Sequence, residues 1–180
     1  MESAVVIYMV ECGFADASRE VAWNEWYSGH LRDFLTVSEF RTTQRFIAIG
    51  PSSPRYRAMY TLESPAAFEN PVYKGFKGGN FPIEWRSAIT DFHRNLFDAG
   101  MAAPMVDDQS ALVIVDDPET DEVAGIRLAI WRAVGLDKSV ATRGLAVIGK
   151  ANGEALAEKR LPRVGVYAAL TGQLSKGAGA

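Results

Sequence analysis

Residues 23–34 read Trp23-Asn24-Glu25-Trp26-Tyr27-Ser28-Gly29-His30-Leu31-Arg32-Asp33-Phe34. Trp23, Trp26, Tyr27, His30, Leu31 and Phe34 recur at i, i+3, i+4, i+7, i+8 and i+11, which is one apolar face of a helix. Such a stripe must be covered, and the flanking sequence supplies the cover. Upstream, Ala4 to Val10 is rich in β-branched residues and reads as a strand. The loop Glu11 to Ala17 contains Gly13 and offers Asp16 or Ser18 as a helix cap. Downstream, residues 40–49 and 55–62 read as a hairpin about the turn Gly50-Pro51-Ser52-Ser53-Pro54. Ser64-Pro65 opens a second helix that ends before Gly75, since proline suits the first helical position. Gly78-Gly79-Asn80 reads as loop. Ile89 to Phe97 alternates as a fourth strand, with a helix through Trp85 to Phe97 as its competitor. The order β-α-β-β-α-β defines an α+β, ferredoxin-like unit.

After the loop from Gly100 to Ser110 the pattern restarts. Ala4-Val5-Val6-Ile7 is echoed by Ala111-Leu112-Val113-Ile114, and Glu20-Val21-Ala22 by Glu122-Val123-Ala124. Ile47-Ala48-Ile49-Gly50 is echoed by Ala146-Val147-Ile148-Gly149, and Arg55 to Leu62 by Arg163 to Leu170. This reads as a diverged internal duplication. Residues 1–100 form the first unit, residues 108–172 an incomplete second copy that stops after its third strand, and residues 173–180 a loose tail. The second copy's helix would carry Ile126, Ala129, Ile130 and Trp131 where the first carries His30. A four-stranded sheet with helices on one face leaves its other face bare, so a second sheet must cover it.

Composition narrows the function classes. The hydrophobic share of 48% and charged share of 23% are those of a globular chain rather than a disordered one. A net charge of −3 without a Lys/Arg cluster argues against nucleic acid and anionic membranes as partners. Cys12 is the only cysteine, so neither an internal disulfide nor a cysteine zinc site is possible. With no apolar run of about 20 residues and no signal-peptide pattern, the expected compartment is the cytoplasm. Nucleotide-binding glycine motifs, a nucleophile elbow and metal-binding histidine spacings are absent, so no metal is expected.

These features resemble the dimeric α/β-barrel superfamily of ferredoxin-like proteins, and within it the EthD-like group. The resemblance covers residues 3–99. It rests on the element order, on Trp26-Tyr27-Ser28-Gly29-His30-Leu31, and on the segments Phe40…Arg45-Phe46 and Arg55-Tyr56…Tyr60. It implies sheets paired into a barrel, in a homodimer, around a small aromatic or polyketide-like molecule. The activities it implies are cofactor-free oxygenation, decarboxylation, cyclisation, isomerisation and lactone chemistry, with haem in some members.

Eight residues are candidates for the site. His30 is the general acid or base, since imidazole titrates near pH 6.5; its bland alternative is a helix-face histidine bonded to a backbone carbonyl. Tyr27 shares its stripe and would steer a substrate oxygen. Arg41 and Arg45, four apart on a strand, share a face and would hold an anionic oxygen if that face lines the barrel, or stand in solvent if it does not. Trp26, Tyr8, Tyr60 and an inward His93 would line the pocket, with packing against the sheet as the alternative. As an inward strand residue His93 would also be a second acid–base group or a haem ligand, although no cofactor is expected. The leading function is a cofactor-independent lyase or isomerase acting on an aromatic or unsaturated carbonyl compound by acid–base chemistry. The alternatives are a cofactor-free or haem-linked monooxygenase and a non-catalytic binding protein.

Overall fold

A computed structural model describes residues 5–76 and 81–177. The expected loop at Gly78-Gly79-Asn80 and the start of the first strand at Ala4 lie outside the described residues. In the first half, α1 (Glu20–Phe34), β2 (Phe40–Ala48), β3 (Tyr56–Leu62) and β4 (Ile89–Asp98) fall close to where their patterns put them, whereas β1 (Val6–Phe14) runs four residues beyond Val10 into the segment expected to be loop. The cap of α1 differs from expectation. Neither Asp16 nor Ser18 caps it; Asp16 instead accepts bonds from Ser18 and Arg19 in the turn before it. The second helix is broken into a 3-10 turn at Pro65–Glu69 and α2 (Pro71–Gly75). Pro71 excludes the helical conformation at Asn70, which is extended and caps α2 by accepting the Val72 N–H. Trp85 belongs to a short α3 (Ile83–Arg86) before β4 begins.

The second half departs more from its expected course. It contains β5 (Ser110–Asp116), β6 (Glu122–Val123), β7 (Ile126–Arg127), β8 (Ala129–Leu136), β9 (Thr142–Gly149), α4 (Lys150–Glu158), β10 (Val164–Ala169) and β11 (Leu174–Ser175). The segment opened by Glu122-Val123-Ala124 is not a helix but the β6–β7 hairpin, and Trp131 lies on a strand. Ala124 and Gly125 both have positive φ, +49° and +80°, which turns the chain in two residues. The copy is therefore complete: β5, β8, β9 and β10 reproduce the four strands of the first half, with the hairpin in place of the first helix. Residues 146–149 belong to the third strand of the copy and 163–170 to its fourth, one strand later than the repeat suggested.

The strand order β4-β1-β3-β2 in the first half recurs as β10-β5-β9-β8 in the second. Two antiparallel seams join them: β4 to β8, from Asn95↔Leu136 to Asp98↔Arg132, and β2 to β10, from Phe46↔Ala169 to Ala48↔Tyr167. Eight strands thus close into a barrel within one chain. The bare sheet face that called for a partner is covered by the chain's own second half. The tail is also more ordered than its composition suggested, because β11 pairs with Thr42 and Thr43 of β2.

Strand parity sorts the side chains. Ile7, Met9, Phe46, Met59, Phe97, Leu112, Ile114, Trp131, Leu145 and Tyr167 form one buried cluster drawn from all eight barrel strands, so it fills the lumen. Val6, Tyr8, Val10 and Cys12 point the opposite way, beneath α1. That double burial explains why β1 reads as an apolar run from Val6 to Val10: all nine residues of the strand are buried, the charged Glu11 included. A third cluster, including Ala111, Val113, Leu156 and Val166, lies between the second half's sheet and α4.

Candidate active site between the first helix and the sheet

The stripe of α1 packs on the outer face of β1–β3, and this layer, not the lumen, gathers the candidate residues. Trp23, Tyr27, Leu31 and Phe34 are buried, each worth about 1.5–3 kcal/mol in burial. His30 is buried with them. Its ring stacks on Trp26 at 4.7 Å and meets Phe34 at 4.3 Å and Tyr27 at 5.7 Å. The Tyr27 hydroxyl lies 3.5 Å from that of Tyr60, and Tyr60 stacks on Tyr8 at 5.2 Å. Tyr73 extends the row, bonded to Tyr8 and engaging Arg94.

Arg45 enters the same layer from β2 and is only 1% exposed. Its guanidinium carbon sits 4.0 Å from the Tyr27 ring centre, 4.3 Å from Trp23 and 4.7 Å from Tyr56. Such cation–π contacts are worth about 2 kcal/mol each when desolvated. Its one hydrogen bond from Nη1 goes to the neutral Asn24 Oδ1 at 2.7 Å, while Nε and Nη2 have no partner among the described residues. No carboxylate pairs with it there. Glu20 acts on it electrostatically from a distance without forming an ion pair; a buried cation with no direct partner is costly, and in a site that cost is returned when an anion binds.

The electrostatics of the neighbours make Arg45 stand out. Burial pushes the His30 pKa down to about 4, against a small upward pull from Asp33. The imidazole is therefore neutral at pH 7, the form that accepts a proton, and a weaker base than a free imidazole. Burial pushes Tyr27 up to about 12 and Cys12 up to about 12, and raises Tyr8 and Tyr60 as well. Of these residues, Arg45 alone carries charge at neutral pH.

Six of the eight candidates, His30, Tyr27, Arg45, Trp26, Tyr8 and Tyr60, meet in this layer. They do so outside the barrel, because the aromatic stripe of α1 draws the aromatic face of the sheet towards itself. Arg41 does not join them. A bulge between Phe40 and Thr42 breaks the parity with Arg45, and Arg41 pairs with Glu63 in solvent at 3.2 Å. His93 is exposed on β4 rather than facing inward. Sequence reasoning missed Asn24 and Glu20 as members of the site, although their i, i+4 spacing puts them together on the flank of the stripe.

The lumen holds a buried apolar cluster and a network of ion pairs. Glu11 is paired with Arg57 and, at 3.0 Å, with Arg143; Asp116 meets Arg143 at 2.8 Å and Arg57 at 3.8 Å. These two cations and two anions neutralise one another. The linker caps one end, where Gln44 exchanges bonds with the backbone of Val106 and Thr61 accepts from Ala103.

The residues do not fit haem. The candidate ligand, His93, is exposed rather than inward, and the other histidine, His30, is crowded on α1 by rings at 4.3–5.7 Å. No three of His, Cys, Asp and Glu come together as a metal-binding group among the described residues.

No protein-family model and no curated protein matches the chain. Solved structures do. An anthrone oxidase-like protein superposes with a TM-score of 0.61 at 10% identity, over 97% of this chain and 94% of its own. A candidate monooxygenase from Lactobacillus acidophilus gives 0.58 at 6% identity, over 96% and 97%. Another from Fusobacterium nucleatum gives 0.54 at 10% identity, over 97% and 98%. These likenesses are of fold alone. They do not single out the EthD-like branch. No helix among the described residues is long and apolar enough to cross a membrane.

Proposed function

We propose that the layer between α1 and β1–β3 is the active site of an enzyme that oxidises a small planar aromatic compound with dioxygen. The observation that carries this reading is Arg45, a buried cation with two unbonded nitrogens inside aromatic walls. It suits a phenolate, an enolate or an aromatic carboxylate, whose charge it would hold while the rings hold the plane. The substrate enters ionised, because a His30 with a pKa of about 4 is a weak base. His30 and Tyr27 then act as neutral groups that orient the bound oxygen atom.

An electron-rich anion of this kind is its own reductant. Converting a ring CH₂ to C=O takes one oxygen atom from O₂ and releases the other as water, so atoms and electrons balance without a cofactor. The anthrone oxidase-like and candidate monooxygenase neighbours support this direction through their fold. The lyase or isomerase reading uses the same anion but returns a proton to it, or removes carbon dioxide. It asks His30 to move a proton, which its lowered pKa makes harder.

Oxygen uptake with anthrone as substrate separates the two. Uptake by the native protein and its loss in Arg45→Met are expected. Conversion of aromatic acids in the absence of oxygen, or uptake indifferent to Arg45, would contradict the oxidative reading.

A further inference from the structure

Arg45 is buried, yet a line of hydrogen bonds ties it to the surface. Nη1 donates to Asn24 Oδ1 at 2.7 Å, Asn24 Nδ2 donates to Tyr56 Oη at 3.4 Å, and Tyr56 Oη donates to Glu20 Oε1 at 2.5 Å. Glu20 also accepts from the exposed Arg55, Nε to Oε1 at 2.7 Å.

Chemistry fixes the direction of each link. A guanidinium only donates, so it turns the oxygen of Asn24 towards itself. The amide nitrogen is left facing Tyr56. A phenol that accepts there directs its own hydrogen elsewhere, and the ionised Glu20, an acceptor only, receives it. Every dipole along the line therefore points the same way, and each bond strengthens the next. Burial raises the Glu20 pKa, but the bonds from Tyr56 and Arg55 outweigh it and hold the carboxyl below its usual range.

We propose that Glu20, acting through Tyr56 and Asn24, is a positioning residue that fixes the plane of the Arg45 guanidinium and leaves Nε and Nη2 for an anionic aromatic ligand. Nη1 is committed to Asn24, and the Trp23, Tyr27 and Tyr56 rings surround the group. What the line adds is orientation control: without it the planar guanidinium tilts about its Cγ–Cδ and Cδ–Nε bonds, and the donor pair loses its fixed direction. The inference rests on the reading of this layer as the site.

The test pairs two probes of one shape, 2-naphthoate and the neutral 2-naphthamide, titrated calorimetrically into the native protein, Tyr56→Phe and Glu20→Gln. Tyr56→Phe keeps the ring beneath Arg45 and removes only the link. It is expected to weaken naphthoate binding about tenfold and leave naphthamide unchanged. Glu20→Gln keeps an acceptor without the charge and should lose less, about threefold. A readout without ligand accompanies these: separate Arg45 Nη resonances in the nitrogen spectrum of the native protein, averaged into one in Tyr56→Phe. Native-like naphthoate binding in both variants, or equal loss for both probes, would overturn the positioning role alone. Failure of the native protein to bind naphthoate would overturn the reading of the site and this role with it.

Discussion

His30 and Arg45 show how one layer treats two basic side chains differently. The imidazole gives up its charge, while the guanidinium keeps its own and covers itself with rings. The cost to His30 is visible in solution. Its ring titrates near 6.5 when unfolded and near 4 when folded, so between those values the unfolded chain binds the extra proton. Its contribution is complete above about pH 6.5 and is lost as pH falls towards 4, up to about 3 kcal/mol at 1.4 kcal/mol per pKa unit. His30→Leu should flatten that part of the stability curve, measured by urea unfolding at pH 7.0 and 4.5 (about one urea midpoint at each pH). An unchanged slope in the variant would mean that His30 is protonated in the folded protein.

At the scale of elements, the β6–β7 hairpin decides how the second half is built. Its turn places Ala124, which has a Cβ, at a φ of +49°, a position that asparagine or glycine fills at lower cost. Ala124→Asn should therefore stabilise the protein by about 0.5–1 kcal/mol, seen as a rise in the thermal midpoint; a fall would show that the turn is not of this type. The same hairpin marks where the sequence was hard to read. The strands and helix of the first half were legible because each carries its own local period: alternation in β4, the 3.6-residue stripe in α1, turn residues between β2 and β3. Glu122-Val123-Ala124 looks like a helix opening only because Glu20-Val21-Ala22 is one. The signal against it was Ala124-Gly125 between Val123 and Ile126, a two-residue turn flanked by β-branched residues. Taking it as helix moved every later strand by one place. The pairing of Tyr27 with His30 was legible from helical spacing, but that Arg45 and Tyr60 meet them, and on which side of the sheet, was not. β1 is apolar on both faces, so its pattern cannot tell lumen from helix layer. The bulge at Arg41 and the two-residue β11 also leave no trace in composition, being made by backbone bonds.

Across the whole molecule, two halves with one strand order have become unlike in use. The first keeps a helix over its sheet and beneath it an aromatic layer with one cation that no carboxylate contacts directly; the second has a hairpin there and lends its inner face to the lumen. Polar groups follow the same division. Glu11, Asp116, Arg57 and Arg143 neutralise one another inside the barrel, where breaking a buried pair costs about 3–5 kcal/mol, and so belong to its stability. Arg45 has no such direct partner, and the proposed ligand site is the layer that holds it. The most direct test is to add 2-naphthoate to the isotope-labelled protein and map which residues it contacts by intermolecular magnetisation transfer. Contacts to Tyr27, His30, Tyr60 and Arg45 are expected; contacts to Met59, Phe97 and Tyr167 in the lumen, or none to the α1 layer, would contradict the assignment.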